Sequence, residues 1–157
     1  MKIQLLCIGR TREKDIADAI ERSARRIPFY MPFEMICLPD VRTTRATTPE
    51  RQKDAEGEQI LAQIHPSDFV MLLDERGREM TSRQWSEFIE RKAVELPRNL
   101  ILVIGGPYGF SQAVYSRANA MLGLSKMTFP HELVRLFIVE QIYRAMTIMR
   151  GEPYHHD

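Results

Sequence analysis

DFVMLLD, Asp68 to Asp74, is apolar from Phe69 to Leu73 and closed by an acid at each end. A strand with one face in water alternates apolar and polar residues. One buried on both faces is apolar throughout, and such strands belong to parallel sheets covered by helices on both sides. NLILVIGG, Asn99 to Gly106, repeats the pattern. Two strands of this kind predict an α/β fold, and the segments around them are consistent with it.

Upstream, KIQLLCI (Lys2 to Ile8) reads as a strand ended by Gly9, and FEMICL (Phe33 to Leu38) alternates like a second strand. Between them, Ile16, Ala19, Ile20 and Ala24 stand near helical spacing in a helix from about Glu13 to Arg26, with Pro28 and Pro32 bracketing the turn that follows. PDVRTTRATTP has no periodicity and reads as a mobile connection. Thr48 caps the next helix, with Pro49 at its first position, where no backbone N–H is needed. That helix reaches about Ile64. Downstream of the first buried strand, Thr81 with Gln84 three residues on forms a capping box for the helix carrying Trp85. A short helix begins at Ser111, a last strand ends near Leu124, and a long helix runs from His131 to about Arg150. The expectation is one domain over residues 1–157, a mainly parallel sheet of five or six strands with helices on both faces.

In such sheets ligands sit beyond the carboxyl ends of the strands. That rule selects Leu73-Asp74, Gly105-Gly106 and the segment from Leu124 onward, which converge in space if the sheet is parallel. GGPYGFS (Gly105 to Ser111) lacks the GxGxxG spacing of a dinucleotide fingerprint and the lysine of a P-loop. It is either a cofactor loop that works through backbone amides or an ordinary strand-to-helix turn. LSKMTF (Leu124 to Phe129) mixes buried-type side chains with accessible backbone, which suits a flat, half-polar ligand such as an adenine. A turn plugged into the core would use the same residues.

Other candidates are weaker. Cys7 and Cys37 lie in apolar runs and read as buried free thiols. His131 reads as structural, and His65 sits in a surface turn. His155 and His156 lack acids or cysteines at ligand spacing, so no metal is assigned. Asp74 and Glu75 read as strand-end acids that aid solvation, and no Ser-His-Asp set is present. A formal net charge of +1 excludes a global basic field, so a nucleic-acid partner needs a local patch. Arg22, Arg25 and Arg26, and Arg42 with Arg45, are two such concentrations, equally explained as solvated surface charge. No apolar run approaches a membrane span, and the cytoplasm is the expected compartment. Leu133, Val134, Leu136, Phe137, Ile138, Ile142 and Met146 give the last helix more than one apolar stripe, which predicts a homodimer.

KIQLLCIGR, KDAEGEQIL (Lys53 to Leu61), VMLLDERG, LVIGGPYGFS, LSKMTFPHELVR and EQIYRAMTIMRGEPYHH occur in collinear order over the whole chain. In these blocks the chain resembles the bacterial 23S ribosomal RNA (pseudouridine) N3-methyltransferase family of the SPOUT, or trefoil-knot, class. The resemblance implies an α/β knot whose C-terminal segment is threaded through an earlier loop, in a homodimer that binds S-adenosylmethionine and modifies 23S rRNA in the assembled ribosome. Carried over, the cofactor residues are Leu73, Gly105, Leu124, Ser125, Lys126, Met127, Thr128 and Phe129. The catalytic side would be Arg135, Tyr154 and His155, with Arg144 as a further phosphate or anion contact and the tail supplied from the partner subunit. Salt bridging on the helix surface is the alternative for Arg135 and Arg144. The tail departs from the family pattern, with His156 and Asp157 where a lysine or arginine usually follows Tyr-His, and Tyr108 is a possible base-facing ring. The rival functions are a non-catalytic ribosome-associated factor and a knotted tRNA ribose methyltransferase.

Overall fold

Every strand pairs in parallel with its neighbours, and the sheet has five strands rather than six. The computed structural model describes residues 1–95 and 98–157. Strands β1 (Ile3–Ile8), β2 (Phe33–Leu38), β3 (Phe69–Glu79), β4 (Leu100–Ile104) and β5 (Ala120–Gly123) stand in the order β2-β1-β4-β3-β5. Helices α1 (Lys14–Ala24), α3 (Ser82–Glu95) and α5 (His131–Met149) cover one face, α2 (Pro49–Ala62) and α4 (Gln112–Arg117) the other.

Alternation along the central strands explains their unbroken apolarity. Met71, Leu73, Leu100, Leu102 and Ile104 pack with Trp85, Ile138, Val139 and Ile142 on the first face. Val70, Leu72, Ile101 and Val103 pack with Ile60, Phe110 and Val114 on the second. Each residue of β4 is buried because both sides have a helix to meet. The capping box is formed as expected: Thr81 N donates to Gln84 Oε1 at 2.9 Å and Gln84 N to Thr81 Oγ1 at 3.1 Å. Thr48 Oγ1 accepts from Arg51 N at 3.2 Å ahead of Pro49.

Two expectations are corrected. Cys7 is buried, and burial pushes its thiol up to about 12, but Cys37 is exposed. The reason is strand order: β2 is an edge strand, and linear sequence does not reveal edges. The second concerns β3, which continues beyond Asp74 to Glu79. Its pairing with β5 shifts between Leu73 and Arg78, so both residues face Leu122 and the chain between them bulges. Gly77 lies so close to β5 that a Cβ there would stand 2.5 Å from the Leu122 carbonyl carbon, and one on Gly123 would stand 2.7 Å from Gly77 O. Backbone packs directly against backbone at this point, and only glycines fit.

Arg135 is the largest polar side chain in the interior, 1% exposed. Its Nη2 donates to Ile8 O at 2.7 Å and its Nη1 to Thr11 Oγ1 at 3.1 Å, which ties the end of β1 to α5. Two of its guanidinium nitrogens thus hold the scaffold, while its buried Nε has no hydrogen-bond partner among the described residues. Among the described residues no helix is long and apolar enough to cross a membrane.

Candidate active site

Three strand ends enclose a cavity of about 620 Å³. That volume falls in the range of small-molecule sites, roughly 300–1,000 Å³. Leu73 through Arg76 form one wall at the end of β3, and Ile104 through Phe110 another after β4. Leu122, Leu124, Ser125, Met127, Thr128 and Phe129 close the third side, with His131 and Val134 from the start of α5. Of the residues carried over from the resemblance, Leu73, Gly105, Leu124, Ser125, Met127, Thr128 and Phe129 meet here, whereas Lys126 is exposed and is not one of the lining residues.

The 105–110 turn is tightly determined. Gly109 has φ +82° and its N–H donates to Gly106 O at 3.1 Å, which turns the chain back on itself. A Cβ on Gly105 would meet the Phe110 ring at 3.1 Å and Gly109 O at 3.2 Å. Ser111 then caps α4, its Oγ accepting from Val114 N. The opposite wall is looser: Met127 is 73% exposed and held locally by its N–H donating to Ser125 Oγ at 3.0 Å.

Sequence reasoning missed the polar rim. Tyr115 Oη donates to Asp74 Oδ2 at 2.5 Å, Arg76 Nη2 donates to Tyr115 Oη at 2.8 Å, and Arg76 N donates to Asp74 Oδ1 at 2.9 Å. Burial pushes the Asp74 carboxyl up, but the bonds from Tyr115 and Arg76 prevail and hold it below the usual carboxylate range. Burial and the Asp74 bond together push Tyr115 up. In this trio Asp74 is the ionised acceptor, held in the cavity lining by Tyr115 and Arg76 as donors. Asp74 was visible as a strand-end acid, but Tyr115 lies forty-one positions away and only the fold brings it near. His131, set aside from sequence as structural, also lines the cavity, and Tyr108 stands at its rim, 53% exposed.

Tyr154 and His155 do not line the cavity. The tail folds back along α5 instead. Tyr154 Oη donates to Glu140 Oε1 at 3.1 Å, and the Tyr154 ring packs edge-on against Tyr143 with centroids 4.9 Å apart. Arg144 Nη1 is 3.2 Å from His155 Nδ1, so that nitrogen accepts, leaving Nε2–H to donate to Asp157 Oδ1 at 2.8 Å. Arg83 Nε reaches Asp157 Oδ2 at 2.6 Å. Arg83 first and His155 second hold the Asp157 carboxyl low. Arg144 also grips Glu140 at 2.6 Å, the helix-surface salt bridge weighed against its phosphate role. It stands about 15 Å of helix rise beyond the cavity-lining Val134. Among the described residues no cluster of ligands suits a metal ion.

The family model described as "Predicted SPOUT methyltransferase" matches residues 1–155. The chain belongs to the SPOUT methyltransferase family. It is 48% identical over 157 residues, 100% of both chains, to the "Ribosomal RNA large subunit methyltransferase H" of Parabacteroides distasonis. It is 50% identical, at the same full coverage, to the protein of that name from Porphyromonas gingivalis. A solved probable methyltransferase from Bordetella pertussis shares the fold, with a TM-score of 0.57, 8% identity, and coverage of 92% of this chain and 94% of that one. The SPOUT family implies a methyl donor, and the cavity fits one. It offers apolar walls at Leu73, Leu122, Leu124 and Phe129, a glycine backbone that allows close approach, and the Asp74 carboxylate in its lining.

Proposed function

We propose that the protein is a single-domain cytoplasmic enzyme that methylates N3 of a pseudouridine in a stem-loop of 23S rRNA, acting on the assembled ribosome. The observation that carries this is the convergence of Leu73, Gly105 and the 124–129 segment on one cavity, in a chain that matches the rRNA methyltransferases end to end. The methyl donor is S-adenosylmethionine, which when bound supplies an electrophilic sulfonium methyl. Leu73, Leu124, Met127 and Phe129 hold its purine between apolar walls. Backbone groups of Gly105-Gly106 and of the 124–129 segment, Lys126 included, read its edge. The SPOUT family membership supports a trefoil knot at this end of the chain.

The working unit is a homodimer. Tyr154 and His155 lie apart from their own chain's cavity, so a second copy is the source that brings them to the methyl group. Phe129 and Phe137, both more than a third exposed and 5.2 Å apart in edge-to-face contact, provide apolar surface for that copy beside the cavity. On the substrate side, His155 accepts the N3 proton once the tail is released from its contact with Arg144, and the freed Arg144 steadies the imide anion. A net charge of only +1 suits recognition of a shaped ribosomal surface over naked RNA.

The test is methyl transfer from labelled S-adenosylmethionine to ribosomes from cells lacking this protein, with the product nucleotide identified by mass. One N3-methylated pseudouridine in 23S rRNA is the expected product. Transfer to tRNA ribose, or cofactor binding without transfer to any ribosomal RNA, would overturn the assignment.

A further inference from the structure

Glu56 belongs to none of the groups described above, and its surroundings are unusual. It lies on α2, is 2% exposed, and neither carboxyl oxygen has a hydrogen-bond partner. An uncompensated carboxylate in such a place is costly, and proteins keep one only where something else is gained. Gly106 is where it makes close contact. A Cβ on that residue would stand 2.1 Å from Glu56 Oε2 and 2.5 Å from Oε1, so the carboxyl group occupies the space a side chain at position 106 would fill. Gly106 lines the cavity and Glu56 does not, which puts the loop backbone between the carboxyl group and the ligand. The next residue along α2 makes a matching contact: a Cβ on Gly57 would meet Ser111 Oγ at 2.5 Å. Adjacent α2 residues thus press on both ends of the turn from Gly106 to Ser111.

We propose that Glu56 is a positioning residue, whose carboxyl group fills the side-chain place of Gly106 and holds the Gly105-Gly106 backbone in the shape that receives S-adenosylmethionine. The proposal rests on the reading of this cavity as the methyl-donor site. Burial foremost, and Asp40 from the connection after β2, push the Glu56 carboxyl up, while the Gln52 amide one turn back on α2 acts the other way. The neutral acid is the form that packs without strain against Gly106. Ionisation would draw the carboxylate toward water and loosen the loop.

The experiment is calorimetric titration of S-adenosylmethionine into the full-length protein and its variants, between about pH 5.5 and 8.5. Gly106→Ala is expected to weaken binding about thirtyfold and Glu56→Ala about tenfold. The double variant Glu56→Ala/Gly106→Ala should bind better than Gly106→Ala alone, because the added methyl enters the vacated space. Glu56→Gln keeps the volume without the charge. It should recover most of the affinity lost in Glu56→Ala and remove the part of the wild-type decline with rising pH that belongs to Glu56. Losses that simply multiply in the double variant, or parallel pH profiles for wild type and Glu56→Gln, would overturn the positioning role. If Gly106→Ala and the double variant fail to fold, Glu56→Ala and Glu56→Gln decide: an affinity recovered in Glu56→Gln upholds the role, and equal losses overturn it. Failure of the wild type to bind S-adenosylmethionine at all would instead overturn the reading of the cavity.

Discussion

Around Gly105 the backbone is held by atoms that leave it no room, whereas around Tyr154 it is held by polar side chains near the surface. The turn after β4 is fixed by ring and carbonyl atoms at 3.1–3.2 Å from where a Cβ would stand. The tail is fixed by Glu140, Arg144, Arg83 and a tyrosine edge contact, most of them partly solvated. Contacts of the first kind are lost only with the fold itself. Those of the second kind contribute little individually and exchange readily for other partners. A ligand pocket suits the first construction, and the second suits the role proposed for the tail, meeting a second copy and an RNA.

The contrast is tested most sharply at Gly105. Gly105→Val should weaken S-adenosylmethionine binding at least about a hundredfold, since the branched side chain must displace Phe110 or the Gly109 carbonyl. Calorimetry at the level of wild-type affinity would remove the loop from the site. Next in size is Arg135→Met, expected to cost about 2–3 kcal/mol of stability by leaving Ile8 O without its charged donor. Denaturant midpoints measure this, and a neutral result would return Arg135 to the substrate side. Deleting Tyr154 to Asp157 should lower methyl transfer about thirtyfold while cofactor affinity stays within about twofold. An equal fall in both would place the tail inside the pocket. Mixing this deletion with Gly105→Val should restore transfer if the tail works across the dimer, because one hybrid site is then complete.

The smallest effect belongs to the rim. Tyr115→Phe removes one donor from Asp74 and should cost about 1 kcal/mol near neutral pH. The sign follows from Asp74 being held low: its contribution is present above the ordinary carboxylate range and fades as pH falls through its own lowered value. Without the Tyr115 bond that fading should begin at higher pH. Thermal midpoints measured down the acid range check it.

Much of this was legible in residues 68–74 and 99–106, because burial on both faces leaves an unbroken apolar run and so announces a parallel sheet. The strand-end rule then located the cavity before any coordinate did. What stayed hidden depends on contacts between distant residues. Cys37 is exposed because β2 has a neighbour on one side only. Arg135 is buried because a carbonyl 127 positions away needs a donor. Neither the extension of β3 to Glu79 nor the closeness of Gly106 to Glu56 leaves a periodic trace, since each glycine answers to a segment far off in the chain.

The order in which the cavity walls leave the ribosome during the protein's own synthesis has a consequence. Strands β1 to β4 can emerge and begin to pair while Leu124 to Phe129 and the first turn of α5 are still inside the ribosomal exit tunnel. A nascent chain then displays the Gly105-Gly106 turn with no third wall opposite it. On the proposed reading of the cavity, donor loading waits for the released chain, and an unfinished copy withholds none from the pool.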